Sequence, residues 1–342
     1  MNGSSVERQS QVSEAISLKD QRLWIVCPSY EDTDSFRILR ERTLEIVEES
    51  PILHDICVHF VLVDDTGGFD PKIADLRVLD DVRIVTPPFN IGHQRAIVCG
   101  LRVVLPDLRD SDLIVTMDAD GEDRPEDFGR LLAPLIEEAT ATSGSLCVAR
   151  RTKRQESLRF RVMYFFFRIM FRVLTGTTVR SGNFAAYRAG LARRMLAHPY
   201  FDLCYSSTLV SLDLDITLIP CERGKRYAGR SRMNSLRLFM HGTRMLMPFT
   251  DRVAIRALTA FTAIFGIGVL LSLVVVAIRV STSAAVPGWA TATLLGILII
   301  SFLALSNSVI LFVVFSHSRS ISLAGLEEGL DRSARGAPAS AD

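Results

Sequence analysis

Ala257 to Ile278 runs for 22 residues without a charged side chain, between Arg256 and Arg279, and Val280 to His317 again lacks Asp, Glu, Lys and Arg. Each stretch exceeds the roughly 20 residues that a helix needs to cross a bilayer, and in that medium only helices and closed barrels satisfy their own backbone. Pro287-Gly288-Trp289 breaks the apolar pattern between them, offering a turn and an interfacial aromatic. The sequence therefore predicts a transmembrane hairpin over 248–317, with a tail at 318–342 that is rich in Gly, Pro, Ser and Ala after Leu330. Two such spans in tandem are hard to cover as core helices of a soluble protein.

Orientation follows from the basic residues. Arg244, Arg252 and Arg256 precede the first span and Arg319 follows the second, whereas the connecting loop contributes only Arg279. The positive-inside rule then places both termini and the domain before the hairpin in the cytoplasm of a plasma or inner membrane protein. The polar tail 1–21 has no apolar core of a signal peptide. The six cysteines form neither a CxxC pair nor a zinc spacing and read as buried thiols of a reducing compartment.

Residues 22–247 remain for one sizeable soluble domain. The net charge of +1 hides an asymmetry: residues 1–149 carry 14 Lys or Arg against 28 Asp or Glu, and residues 150–256 carry 21 against 6. A basic block beside a membrane span meets anionic headgroups or a lipid phosphate rather than nucleic acid. Within it Arg154, Arg161, Arg168 and Arg172 recur at helical spacing, with Val162, Phe166, Ile169 and Val173 on a neighbouring face. That is the pattern of an interfacial helix, which a solvated charged face over a soluble core would also give.

In the first half short β-branched runs alternate with helical segments. Leu23–Cys27, Val58–Val63, Val82–Val85, Leu113–Met117 and Leu146–Ala149 read as strands; Phe36–Val47, His93–Val104 and Pro125–Ala139, bent by Pro134, read as helices. The fold class expected is α/β with a parallel sheet, whose ligands bind beyond the carboxyl ends of the strands. Three polar clusters fall there: Pro28-Ser29-Tyr30-Glu31-Asp32, Asp64-Asp65-Thr66-Gly67 and Asp118-Ala119-Asp120. Two carboxylates crowded at a strand end cost free energy unless a cation joins them, and hard oxygens suit Mg²⁺ or Mn²⁺. The motif suggests a metal-bound diphosphate. Asp123, with Glu126 three residues on and Pro125 in the first turn, reads as the cap of the following helix. Counted from Asp118, an EF-hand loop would need glycine and glutamate where Asp123 and Gly129 stand.

The order of a strand with Pro-x-Tyr, a strand with Val-Asp-Asp, Asn90-Ile91-Gly92 before a helix, and a DxD followed by Pro-Glu resembles the nucleotide-diphospho-sugar domain of family 2 glycosyltransferases. With the hairpin, the chain from Leu23 to Phe315 is similar to the polyprenyl-phosphate glycosyltransferases related to dolichyl-phosphate mannose synthase. The resemblance implies a GT-A-like, mostly parallel sheet followed by two transmembrane helices. It implies that Pro28, Tyr30, Asp32 and Asp65 hold base and ribose, and that Asp118, Asp120 and Glu122 bind metal or sugar phosphate. Arg95 could reach the diphosphate from the Asn90–Arg95 segment, where a capping Asn and an exposed Arg are equally open. His93 alone reads as surface. The cluster Arg223 to Arg232 resembles a basic Gly-x-Ser-Lys loop of the family, with Arg232 in the lysine's place.

The activity so implied is inverting transfer of a sugar from a nucleotide-diphospho-sugar to a polyprenyl phosphate, with Asp120 and Arg232 central to the reaction and Arg154 and Arg161 on the acceptor phosphate. Transfer to a neutral lipid hydroxyl, with Asp202 or Asp213 as base, and a non-catalytic sensor of nucleotide sugars stand as alternatives. The lipid bilayer is a partner, nucleic acid is not, and homo-oligomerisation stays open. Glu31-Asp32, Thr66-Gly67-Gly68 and Ser181-Gly182-Asn183-Phe184-Ala185 depart from the family's pattern, which leaves sugar and acceptor headgroup unspecified.

Overall fold

The computed structural model describes residues 21–137, 144–151, 158–178, 182–212, 214–228, 235–281 and 288–317, with side chains of 158–163, 235–239 and 315–317 outside the description. They divide into two compact units. One holds the described residues up to Leu158 and from Gly182 to Pro248; the other holds Arg159–Thr178 and the described residues from Phe249 to His317.

The first unit is built on seven strands, β1 (Arg22–Ser29), β2 (Cys57–Asp64), β3 (Val82–Val85), β4 (Leu113–Thr116), β5 (Ser145–Arg151), β6 (Ala185–Arg188) and β7 (Asp215–Cys221). Their order is β3-β2-β1-β4-β6-β5-β7. Alternation along β1 explains why helices cover both faces. Leu23, Ile25 and Cys27 face one cluster with Phe36 and Leu39 of α1 (Thr33–Glu49), and Trp24 and Val26 face another with Ile97 and Leu101 of α2 (His93–Val104). The first cluster also takes Phe128 and Leu131 of α3 (Phe128–Glu137), while α5 (Ala189–Leu196) and α6 (Tyr205–Ser211) join the second. Each such fully buried aliphatic side chain contributes about 1.5–3 kcal/mol. Strands buried on both faces are apolar throughout, which is why these runs stand out in the sequence.

The five expected strands and the first two helices form. Two features differ from the linear reading. The segment from Pro125 opens as a 3-10 turn, Pro125–Asp127, before α3 begins, and Asp123 does not cap it; its carboxylate turns back to the Asp118 amide. The sheet also contains β6, antiparallel to both β4 and β5 and lying between them. Ala185-Ala186-Tyr187-Arg188 is short and carries no β-branched residue, so its strand state comes from pairing on both sides rather than from propensity. Buried Arg188 holds it by donating to the carbonyls of Ser111 (2.9 Å) and Leu135 (2.5 Å).

A further helix of this unit, α7 (Ser235–Leu246), packs near α6. The second unit comprises α4 (Leu158–Thr175), α8 (Thr250–Ser281) and α9 (Trp289–His317), of which α8 and α9 are long and apolar enough to cross a membrane. On α4 the expected apolar face is exposed at Phe166, Ile169 and Val173, while Phe171 is buried edge-on to Phe249. Arg256 of α8 donates to the carbonyls of Arg172 and Val173, satisfying the carboxyl end of α4.

Candidate active site

Parallel pairing of β1 with β2 sets Ser29 opposite Asp64, and β4 runs parallel on the other side of β1, so the loops after all three strands share one edge. Ser29 Oγ and Asp64 Oδ2 are buried there without a hydrogen-bond partner among the described residues. Glu31 has φ 58°, left-handed for a non-glycine residue, in the turn that separates exposed Tyr30 from Asp32. Pro28 is buried at the end of β1.

Asp65 is buried and bridges to the next loop: its carboxylate accepts from the amides of Ile91 (2.7 Å) and Gly92 (3.0 Å). Burial nevertheless raises its pKa. The Asx-type turn of Asp64, accepting from Thr66 N at 3.1 Å, shapes the preceding bend. Gly92, at φ 88°, is the residue before α2, and Asn90 does not cap the helix. Arg95 is exposed on the first turn of α2.

The acidic turn after β4 is held from three sides. Asp118 Oδ1 lies 3.1 Å from His93 Nε2 and accepts from Asn183 Nδ2 at 3.3 Å. Burial would raise the Asp118 pKa, but the His93 charge and hydrogen bond outweigh it and hold the carboxyl well below its usual range. The same pairing, against burial, raises the His93 pKa. Asp120 moves the other way, up, because burial and the Asp118 charge exceed the pull of Arg226. Asp123 is likewise raised by burial and Asp118, although Arg151 contacts it at 3.0 Å.

The third side is the segment after β7. Gly224 N donates to Glu122 O (2.8 Å) and Tyr227 N to Asp120 O (2.9 Å), so Glu222–Tyr227 lies along the acidic turn as an added backbone layer. The approach is close enough that a Cβ on Gly121 would collide with the Tyr227 ring, and one on Gly224 with the Gly121 carbonyl. Arg226 thereby reaches Asp120 Oδ2 (2.5 Å) and Asp32 Oδ1 (3.8 Å), and Arg223 reaches Glu122 Oε2 (2.6 Å), which Arg151 also approaches at 3.5 Å.

These contacts decide how a divalent cation could fit. Among the described residues no three acidic, histidine or cysteine side chains converge to hold a metal unaided. Asp118 and Asp120 present hard oxygens on one turn, whereas Glu122 is spanned by Arg223 and Arg151. Two carboxylates completed by substrate phosphate oxygens is how Mg²⁺ is ordinarily held, and the residues fit the group in that form. Of the residues expected from sequence, Pro28, Tyr30, Asp32, Asp65, Asp118, Asp120 and Glu122 line this edge; Arg95 stands on α2; Arg154 and Arg232 lie outside the described residues, and Arg161 falls on α4 with its side chain outside them.

Sequence reasoning missed His93, Gln94, Asn183, Arg151 and Arg226 as parts of one network. Asn183 Nδ2 lies 2.6 Å from His93 Nε2, its Oδ1 accepts from Gln94 Nε2 at 2.6 Å, and Gln94 Oε1 accepts from Ser206 N at 2.9 Å. These residues are spread over more than a hundred positions, so no local motif marks them; the Arg223 to Arg232 cluster was the sole signal for Arg226.

Residues 42–196 match the profile of Glycosyl transferase family 2. Among curated proteins the chain is 29% identical over 188 residues, 52% of each chain, to an undecaprenyl-phosphate 4-deoxy-4-formamido-L-arabinose transferase of Photorhabdus laumondii. It is 27% identical to a protein of the same description from Pseudomonas fluorescens, covering 78% of this chain and 75% of that one. The chain spans about half the length of the first of these relatives. Among solved structures, glucosyl-3-phosphoglycerate synthase of Mycobacterium tuberculosis, in complex with Mn²⁺, UDP and glucosyl-3-phosphoglycerate, aligns with 15% identity and a TM-score of 0.46, covering 68% of this chain and 80% of that one.

Proposed function

We propose that this chain, whose residues 42–196 match the Glycosyl transferase family 2 profile, moves a sugar from a nucleotide-diphospho-sugar to a polyprenyl phosphate at a membrane. The observation that carries this reading is the convergence of the β1, β2 and β4 loops on an Asp118–Asp120 turn faced by Arg226, in a chain that ends in two helices able to span a bilayer. The relatives named above are undecaprenyl-phosphate transferases, which supports a lipid phosphate as acceptor.

In this reading Pro28, Tyr30, Asp32 and Asp65 surround base and ribose, and Asp118, Asp120 and Glu122 would hold Mg²⁺ or Mn²⁺. When bound, the cation supplies charge neutralisation for the departing nucleotide diphosphate. His93 and Asn183 fix the Asp118 carboxylate, Arg223 and Arg226 supply positive charge from the Glu222–Tyr227 segment beside the acidic turn, and Arg232 is assigned to the departing diphosphate. Arg154 and Arg161 engage the acceptor phosphate, with Arg95 available to the donor. A phosphomonoester is mostly dianionic near pH 7, its second pKa being about 6, so direct attack on the anomeric carbon needs little help from a base. One displacement inverts that carbon, and no residue is required as covalent nucleophile. Holding both reactants in line at the bilayer surface makes attack effectively intramolecular.

The chain is read as an integral membrane protein with the catalytic domain and both termini cytoplasmic, serving the cell envelope. Membranes containing the protein, given a panel of labelled nucleotide sugars and Mn²⁺, are expected to label undecaprenyl phosphate and to leave undecaprenol unlabelled. Equal labelling of the free alcohol or of a neutral glycerolipid would replace the phosphate-attack mechanism with the hydroxyl-acceptor one. Cysteines placed at Ser283 are expected to react with an impermeant reagent on intact cells, and those at Ser4 or Ser340 are not; the reverse pattern would put the donor site on the wrong side.

A further inference from the structure

The two long helices pair through a heptad seam. On α9 the residues withdrawn toward α8 are Ile297, Ser301, Ala304, Ser308 and Leu311, spaced four, three, four and three apart, and Gly268 of α8 meets Ser301 so closely that a Cβ there would collide with its hydroxyl. One residue ahead of each of these lies a second set with the same spacing: Gly296, Ile300, Leu303, Asn307 and Ile310, continued by Val314. All are exposed, Ile300, Leu303, Ile310 and Val314 by more than half, and a Cβ at Gly296 would meet nothing within 4 Å.

Asn307 makes this face unlike an ordinary lipid-facing one. It stands about 15 Å short of the helix end at His317, at 1.5 Å per residue, well inside the length that the hydrocarbon covers. Its amide donates to Leu303 O at 2.8 Å, which leaves the second N–H and the carbonyl oxygen without a partner among the described residues. Ile, Leu and Val are satisfied by acyl chains, but a free amide in hydrocarbon is costly. An amide both donates and accepts, so a second Asn307 completes it reciprocally. Copies of one chain enter the membrane in one orientation, so their α9 helices meet in parallel and each residue on a twofold seam faces its own counterpart. A single Asn in a parallel heptad seam is a known device for fixing register.

We propose that Gly296, Ile300, Leu303, Asn307, Ile310 and Val314 form a self-association seam through which α9 pairs with α9 of a second copy of this chain, Asn307 against Asn307. The inference rests on the membrane-spanning reading above. It assigns one exposed face of α9 to a homodimer and leaves the face toward α8 to the protomer.

The test uses the full-length chain in membranes. In a Cys57→Ser background, Leu303→Cys and Ile310→Cys are expected to form intermolecular disulfides on oxidation. Leu305→Cys and Phe312→Cys, exposed on other faces of α9, are not. Self-affinity measured by energy transfer on dilution in lipid is expected to fall about threefold to tenfold in Asn307→Leu, the range of interhelical polar contacts in bilayers, and to stay near the parent value in Asn307→Gln. Cross-linking that ignores the seam, cross-linking to a different membrane protein, or a dimer indifferent to Asn307→Leu overturns the proposal. Release of the protein by alkaline carbonate would show that the membrane reading itself is wrong; a protein retained by carbonate but monomeric at every lipid ratio would overturn this inference alone.

Discussion

Arg226→Gln should make the protein bind Mn²⁺ more tightly in the absence of nucleotide. Arg226 contacts Asp120 Oδ2 at 2.5 Å, with side chains 25% and 9% exposed, so its guanidinium competes for the oxygen that a cation would use. A charge-assisted hydrogen bond of this kind contributes about 1.5–3 kcal/mol net. Taking about 2 kcal/mol, and about 1.4 kcal/mol per tenfold, releasing that competition tightens Mn²⁺ by about 30-fold. Free Mn²⁺ can be followed by its electron paramagnetic resonance signal while the detergent-solubilised chain is titrated. Removing any arginine strengthens the local negative field, so Arg124→Gln serves as control: Arg124 pairs with Glu126 and Glu222 rather than Asp120, and its loss should change affinity less than about threefold, as for exposed pairs generally. An equal gain in both variants, or no gain in Arg226→Gln, would refute the argument that this arginine occupies the cation's place.

Three further outcomes follow from the same geometry. Asp120→Asn is expected to reduce transfer to near background while the melting temperature holds, because the change removes a charge from a turn and no core contact; retention of most activity at ordinary Mn²⁺ concentrations would remove Asp120 from the site. Asn183→Ala deletes the amide that ties His93, Gln94 and Asp118 together, and should lower kcat by about 10- to 100-fold, the range for residues that orient ligand-holding groups, with KM for the donor as the second readout; unchanged kinetics would make the network structural only. Gly100→Ala places a Cβ 2.6 Å from Val63 Cγ2 and 3.0 Å from Val26 Cγ1. Overpacking of about 1–3 kcal/mol exceeds the roughly 1 kcal/mol gained in helix propensity, so the unit built on the sheet should melt a few degrees lower, at about 2–4 °C per kcal/mol, and a rise in melting temperature would contradict this packing.

The linear sequence specified what depends on local periodicity and composition. Runs buried on both sheet faces must be apolar throughout, so β1, β2, β4 and β5 were legible as strands, and His93–Val104 was legible as the helical segment α2. Length without charge marked α8 and α9 because a shorter helix does not cover the hydrocarbon thickness and a charged side chain within it is costly. Asp118 and Asp120 stood out because two acids one residue apart at a strand end repel each other unless a cation joins them. The tertiary structure alone decided the rest. β6 is a strand only because β4 and β5 offer hydrogen bonds on both its edges, and Asp123 turns from a helix cap into a brace because the Asp118 amide and Arg151 lie closer than the helix end. Arg226 reaches Asp120 through two backbone hydrogen bonds that carry the segment after β7 back across the acidic turn, a separation of about a hundred residues over which no sequence pattern constrains distance. Charge balance at the site is therefore a property of chain crossing, and the individual residues bear no local mark of it.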